Sequence, residues 1–313
     1  MNKRFSIAIV HRNGFSKLFN MLESLIQDAR EKDEIFVVDN NSEDGSLEKI
    51  QQIQKFKNIL FIKNSCNAGY GHACNQVMDI AQGKFYLLCN NDLQFQKGTL
   101  DKFEKFLNSN KSFGMIGPQL LSPDGAESVS YSTKKIDFLS HFDFIGRPIK
   151  QKKLKKFSEV FSLRGACLAV KKELVSDIGY FDEDFYFYHE DTEWSRRVSL
   201  SLKWKLGFCP EIKVRHIGGA SSKNLFYQSR IEFYRSRIIF WKKIFNKPQF
   251  FIIFTWNFFK LFLDLTFYSL MSLLTFGRIN SYNKKVIDRF VVITWIIFGM
   301  NKKWGLPDKC HFK

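Results

Sequence analysis

Along the first hundred residues, short apolar runs of strand length alternate with stretches whose apolar residues recur at helical spacing. The runs are FSIAIV (5–10), EIFVVD (34–39), ILFIKN (59–64) and FYLLCN (85–90). Between them, Leu18, Met21, Leu22, Leu25 and Ile26 predict a helix over 16–30, a second runs through Ile50 and Ile53, and a third spans 71–82. Such alternation predicts β-α-β-α-β units, hence a parallel sheet with helices on its faces. Sheets of this kind bind ligands beyond the carboxyl ends of their strands. That rule gathers Asp39, the turn at 65–71 and Asp92 on one edge.

Beyond this frame the pattern loosens. In 117–160, GPQLLSPDG reads as a turn and KQKKLKKF (150–157) as a basic loop, either a solvated charge run or a lip that meets an anionic substrate. From about 223 the chain turns apolar and basic. FFIIFTWNFF (250–259), LTFYSLMSLLTF (265–276) and FVVITWIIFG (290–299) are interrupted or flanked by Lys260, Asp264, Arg278 and Arg289. None reaches the ~18 uninterrupted apolar residues usual for a spanning helix. Short aromatic runs with lysines predict helices lying in a membrane interface. The alternative is a helical subdomain, or a homo-oligomer face, that buries those runs in protein.

Charge sharpens the picture. The 313 residues carry a formal net charge of +17 and a pI near 9.5, which points to an anionic partner. Residues 223–313 hold 16 Lys and Arg against 4 Asp and Glu, so the excess is mainly C-terminal. Six cysteines show no C-x-x-C pair, and no signal-peptide pattern precedes them. They read as reduced thiols of a cytosolic protein, with Cys89 and Cys167 as core residues.

Four clusters carry candidate chemistry. In VVDNNSEDGS (37–46), Asp39 and Asn41 follow a buried strand and suit either a nucleoside or an ordinary helix cap. In NSCNAGYGHACN (64–75), Gly69 and Gly71 permit close approach of an anion to a helix start, without a Walker or dinucleotide signature. In YLLCNNDLQF (86–95), Asn90 and Asn91 leave Asp92 the single charge at the mouth of an apolar run. One carboxylate suffices for a divalent ion when substrate phosphates complete the shell, and equally serves as a turn residue. The acidic-aromatic FDEDFYFYHED (181–191) enters a helix beginning near Asp191 or Thr192 and suits a sugar, and His216 in RHIGGASS can reach a metal.

Taken in order, VVDNNSEDGS, NAGYGHACN, the Asn-Asn-Asp at 90–92, GACLAVKKE, GYFDEDFYFYHEDTEWSRRV and RHIGGAS resemble the family-2 glycosyltransferases, in particular a bacterial rhamnosyltransferase-like branch, over roughly residues 5–240. The resemblance implies an α/β GT-A fold over 1–222, with a nucleotide-sugar half (1–115) and an acceptor half (116–222). A helical, apolar-basic extension (223–313) that associates with membrane or oligomerises would follow. It implies transfer with inversion from a nucleotide-diphosphate sugar, rhamnose being the sugar that branch suggests. The acceptor would be a saccharide or a lipid-diphosphate-linked one, as in lipopolysaccharide or capsule synthesis. A divalent cation, Mn²⁺ or Mg²⁺, would assist at the cytoplasmic face of the membrane, and no nucleic-acid partner is expected. By position, Asp39 would meet the nucleoside, Asn67, Gly69 and Asn75 would shape its pocket, and Arg197 would match a basic position of the family. Asp92 and His216 would hold the metal, and Asp191 would be the general base, with Glu190 next in line. Competing readings are a sugar nucleotidyltransferase and a basic, non-enzymatic nucleic-acid or membrane-binding module.

Overall fold

The computed structural model describes residues 3–142, 153–218, 225–307 and 309–310; residues 150–152 of the basic loop and 219–222 after His216 lie outside the described residues. The first half alternates β1 (Phe5–His11), α1 (Phe15–Ile26), β2 (Glu34–Asp39), α2 (Ser46–Gln51), β3 (Leu60–Lys63), α3 (Tyr70–Ile80), β4 (Phe85–Asn90), β5 (Leu93–Gln94) and α4 (Thr99–Ser109). There follow β6 (Phe113–Leu121), β7 (Tyr131–Ser132), β8 (Ser158–Val160), β9 (Ser162–Leu163), β10 (Cys167–Lys171), α5 (Lys172–Ile178), α6 (Glu190–Ser199) and β11 (Lys205–His216). Three helices complete the chain: α7 (Phe226–Ile244), α8 (Lys247–Leu274) and α9 (Asn280–Ile297).

The main sheet runs β3-β2-β1-β4-β10-β6-β11-β5, with β8 beside β11. Its first four strands are parallel, and β10 enters antiparallel between β4 and β6. The alternation of side chains along each strand decides the layers. Ile7, Ile9, Phe85, Leu87 and Cys89 pack under α1 and α4, while Ala8, Tyr86 and Leu88 pack under α3, α5 and α6. Both faces are buried, which is why these strands read as unbroken apolar runs. Register sets His11 opposite Asp39 and Val10 opposite Asn90, so the carboxyl ends of β1, β2 and β4 form one rim.

Two features bring distant residues to that rim. Strand β11 has an irregularity between Cys209 and Lys213, where Pro210 lacks the N–H a ladder needs, and its far end pairs Arg215 and His216 with β5. The C-terminal helices, in turn, pack on the segment before α6: Phe185 is buried among Ile231, Ile238, Phe240 and Trp241. Ser236 donates to the Phe187 carbonyl at 2.7 Å, and Lys243 pairs with Asp182 and Asp184 at 2.7 and 2.6 Å.

The sequence reading needs correction at several places. Residues 117–121 of GPQLLSPDG, read as a turn, are the end of strand β6. Runs 250–259 and 265–276 form one helix, α8, of 28 residues, because Asp264 is buried against Arg289 of α9 instead of ending the helix. Cys66 and Cys310, 244 residues apart, are joined as a disulfide with Cα atoms 5.2 Å apart, so two of the six thiols are not free; the other four are buried and free. Cys89 and Cys167 face each other across β4 and β10 in the core.

Buried charges lock the C-terminal helices together. Asp288 accepts from Arg230 at 2.6 Å and also pairs with Arg289, whose Nε lies 3.1 Å from Asp264. Asp288→Ala strands the Arg230 guanidinium and leaves Arg289 with Asp264 alone, and since Arg230 is partly exposed the cost falls at the low end for a broken buried pair, about 3 kcal/mol. The urea midpoint of the variant should drop accordingly; an unchanged midpoint would show the cluster to be dispensable.

Candidate active site

The rim opens into a cavity of about 360 Å³ whose walls include Arg12, Asn40, Asn67, Gly69, Asn90, Asn91, Asp92 and His216. Tyr186, Phe187 and Tyr188 form its aromatic side, and Leu306 and Pro307 close it from the C-terminal tail. That tail is tied down. The Cys310 amide donates to the Asn67 carbonyl at 3.0 Å, and the Leu306 amide donates to Glu232 Oε1 at 3.1 Å. A second cavity of about 430 Å³ adjoins the first, sharing Tyr70, Asn90, Phe187, Tyr188 and His216, and adds Arg164, Glu190 and Asp191.

At the junction stands Asp92. Its Oδ2 accepts the Gly218 amide at 3.1 Å, while Oδ1 lies 3.2 Å from His216 Nε2. The latter contact is short but off line for a hydrogen bond, so Oδ1 stays buried without a donor. Burial pushes the Asp92 carboxyl up, yet His216, Lys17 and the Gly218 amide outweigh it and hold the group below its ordinary value. A carboxylate oxygen and an imidazole nitrogen facing one gap make a fitting pair of donors for a divalent cation. Among the described residues no cluster of three or more such ligands exists, so phosphate oxygens would have to supply the rest.

His11, not singled out from the sequence, is a fixed post behind this wall. Asn91 Nδ2 donates to its Nδ1 at 2.8 Å, its Nε2 lies 2.7 Å from Ser46 Oγ, and Ser46 donates to Asp44 at 2.5 Å. Burial keeps the His11 imidazole below its usual basicity, so the ring stays neutral and ties β1, β4 and α2 together.

Asp191 stands in the first turn of α6 and lines the second cavity. The Gly165 amide donates to its Oδ2 at 2.8 Å and the Thr192 hydroxyl to its Oδ1 at 3.1 Å. Its neighbour Glu190 is buried, with Oε2 unpartnered, and burial followed by repulsion from Asp191 pushes its carboxyl up to about 8. A carboxyl that keeps its proton near neutrality is a poor base, which favours Asp191 for that task. The pair is aimed by an unusual backbone. Tyr188 and His189 have φ of 69° and 67°, a left-handed conformation costly for residues with a Cβ. Packing compensates: the His189 ring stacks 5.7 Å from Phe240 and lies 5.1 Å from Phe233, and Tyr188 lies 5.6 Å from Phe233. Burial, then the charge of Arg237, brings the His189 imidazole down to about 3, so it packs as a neutral ring.

Of the residues singled out from the sequence, Asn67, Gly69, Asn90, Asn91, Asp92 and His216 line the first cavity and Asp191 the second. Glu190 also lines the second, whereas Asp39, Asn41, Asn75 and Arg197 line neither. Asp39 is fully buried and its carboxylate caps the Ser42 amide at 3.1 Å, and Asn41 occupies a left-handed turn at φ 62°. Asn75 braces the acidic loop, accepting the Phe181 amide at 3.1 Å and donating to its carbonyl at 2.9 Å. Arg197 spends its guanidinium on Glu193 and on the carbonyls of Ile178 and Tyr180. Gly69 has a structural duty beside its place in the wall. At φ +87°, a Cβ there would sit 2.3 Å from the Tyr186 carbonyl oxygen, so the close approach is made by the protein's own aromatic loop.

A Rossmann-like mixed sheet flanked by helices, with a cavity at the carboxyl ends of its strands, is the GT-A architecture of glycosyltransferases. The chain belongs to glycosyltransferase family 2, whose model matches residues 6–179. It is 25% identical over 208 residues to an N-acetylglucosaminyl-diphospho-decaprenol L-rhamnosyltransferase of Mycobacterium tuberculosis, covering 58% of this chain and 66% of that protein. It is 22% identical over 289 residues to the low-salt glycan biosynthesis hexosyltransferase Agl10 of Haloferax volcanii, covering 88% and 85%. Among solved structures, the mannosyltransferase PcManGT of Pyrobaculum calidifontis, in complex with GDP-Man and Mn²⁺, shares the fold with a TM-score of 0.58 at 14% identity, over 97% of this chain and 88% of that one. Family membership sets the nucleotidyltransferase and the non-enzymatic module aside.

The raised Glu190 gives a pH signature. Its proton is held more tightly folded than unfolded, so its stabilising contribution is full below the unfolded value and is lost as pH rises through about 8. Melting temperatures between pH 5 and 9 should therefore fall more steeply for the native protein than for Glu190→Gln; parallel curves would remove the assignment.

Proposed function

We propose that the protein transfers a sugar, with inversion, from a nucleoside-diphosphate donor in the first cavity to an acceptor hydroxyl in the second. The observation that carries this reading is the junction itself: the Asp92–His216 pair on one side and Asp191 on the other, with Asn90, Tyr188 and His216 common to both cavities. In-line displacement needs charge stabilisation at opposite ends of one transition state. Asp191 accepts the proton of the acceptor hydroxyl as its oxygen forms a bond to the anomeric carbon, while the bond from that carbon to the diphosphate breaks. Asp92 and His216 would hold a divalent cation, which supplies neutralising charge for the diphosphate when bound. The asparagines beside Asp92 add amide donors without further negative charge. The aromatic side chains of Tyr186–Tyr188 give a stacking face for the sugar. The Mycobacterium relative's name supports rhamnose as the sugar and a lipid-linked diphosphate acceptor.

The outward face of α8 supports a place of action at a membrane surface. Its buried stripe is Ile253, Asn257, Leu261, Asp264 and Tyr268, so polar groups face inward, whereas Phe251, Phe259, Leu270 and Leu273 face out. A helix in water shows the opposite arrangement. Among the described residues it is the one helix long and apolar enough to cross a membrane, and only 22% of its most apolar window is buried. With Lys247, Lys260, Lys284 and Lys285 nearby in sequence, this face would dock on the anionic cytoplasmic leaflet, where a lipid-linked acceptor is presented. Because α7 braces the segment before Asp191, truncating the C-terminal region would also damage the site.

Asp191→Asn should lower turnover by ~10²–10⁴-fold while leaving nucleotide-sugar binding, measured by calorimetry, nearly intact. Near-normal turnover would exclude Asp191 as base. Asp92→Ala should abolish the Mn²⁺-dependent part of the thermal stabilisation by nucleoside diphosphates, and Asn90→Ala should weaken it less. For the docking face, Phe259→Asp with Leu270→Asp should move the protein from the membrane pellet to the supernatant while transfer to a short soluble acceptor persists; an unchanged pellet would refute docking through α8.

A further inference from the structure

We propose that Arg164 is the anion contact of the second cavity and binds a diphosphate carried by the acceptor itself. The inference rests on reading that cavity as the acceptor site. Arg164 lines it together with Glu190 and Asp191, yet its guanidinium makes no hydrogen bond or ion pair with any described residue. Most arginines facing carboxylates on a protein surface pair with them, and Arg4, Arg197, Arg230, Arg235 and Arg289 all do so here. Arg164 is held in place without being used up. Its own amide donates to the Ser130 carbonyl at 3.0 Å, and the next amide, of Gly165, holds Asp191 at 2.8 Å. The Leu163 amide before it donates to Ser195 Oγ at 3.3 Å. The backbone is thus pinned on both sides while the side chain remains exposed.

The electrostatics of the cavity give that exposure a purpose. An anionic acceptor reaching for Asp191 would meet like charge, and a cation in the same wall must offset it for binding to be favourable. Arg164 is the positively charged side chain in the lining, and its field reaches the Tyr188 and His189 rings. A planar guanidinium fork matches phosphate oxygens in paired geometry, which an ammonium does not. Elsewhere in the wall, Leu120, Val129, Phe187 and Tyr188 give apolar and aromatic surface beside the polar Asn90, Ser128 and His216. A diphosphate attached to an isoprenoid on one side and a sugar on the other suits such a mixed wall better than a free acidic sugar does.

The test measures binding, so that it does not depend on turnover. Calorimetry of the full chain without added metal, with farnesyl diphosphate as probe, should show binding that Arg164→Ala weakens by ~10–100-fold, the range for loss of a charge-assisted hydrogen bond. Arg164→Lys should recover part of the loss, farnesol should bind no better to the native chain than to the alanine variant, and Asp92→Ala should leave the diphosphate affinity unchanged. In turnover, Arg164→Ala should raise the KM for a diphosphate-linked acceptor and not that for the alkyl glycoside of the same sugar, with the donor KM constant. Equal affinity in native protein and Arg164→Ala, absence of binding to the native chain, or a loss confined to Asp92→Ala would overturn the proposal. Glucuronate competing as well as the diphosphate would also overturn it, by making the site one for acidic sugars. Failure of the glycosyltransferase reading is distinct: the native chain would then transfer sugar to neither acceptor, whatever the diphosphate does.

Discussion

The packing of α7 against residues 185–189 is the contact on which the placement of Asp191 depends. Tyr188 and His189 adopt left-handed backbone, and a chain free to relax would leave it, since each residue there is strained by roughly 1–2 kcal/mol. Phe233 and Phe240 cover the His189 ring, Phe185 fills the space among Ile231, Ile238 and Trp241, and Ser236 holds the Phe187 carbonyl. With the strain held, α6 starts at Glu190, and its first turn presents Glu190 to the interior and Asp191 to the cavity. The C-terminal helices are therefore part of the site. They also provide the outward apolar face of α8, so the element that would touch lipid is continuous with the one that aims the carboxylate.

The rim works by dividing labour between charged and neutral groups. Asp92 keeps a buried oxygen without a donor, next to an imidazole, while Asn40, Asn90 and Asn91 fill the remaining wall with amides. His11 stays neutral because burial disfavours its charge, and so ties β1, β4 and α2 together without adding charge to the wall. In the second cavity the same logic separates two adjacent carboxyls: burial keeps the proton on Glu190, and the Gly165 amide supports Asp191.

Much of the frame was legible in the sequence. Strands 34–39 and 85–90 begin and end where the apolar runs do, because both faces are buried and nothing polar interrupts them. Asn67, Gly69, Asn90, Asn91, Asp92 and His216 meet in one cavity, whereas Asp39, set by the strand-end rule on the same edge, is fully buried and lines neither cavity. Errors arose where a long-range partner decided the outcome. The first helix stops at Ile26 and not at 30, and beyond it the Asp28 carboxylate receives the amides of Gly98 and Leu100. Asp264 looked like a break between two short runs, but a buried arginine from α9 absorbs its charge and α8 continues.

What the sequence determined by itself is what local spacing encodes: the alternation of strands and helices, the polar clusters after strands, and the apolar, basic character of the last ninety residues. Those properties depend on side chains a few positions apart, so one linear pattern contains them. Tertiary structure alone decided the rest. The Cys66–Cys310 link closes a span of 244 residues, His216 meets Asp92 only because β11 returns to β5, and Asn75 and Arg197 serve as braces because the acidic loop folds over them. Such pairings depend on which surfaces come together when the sheet and the C-terminal helices are assembled, and no periodicity along the chain records that.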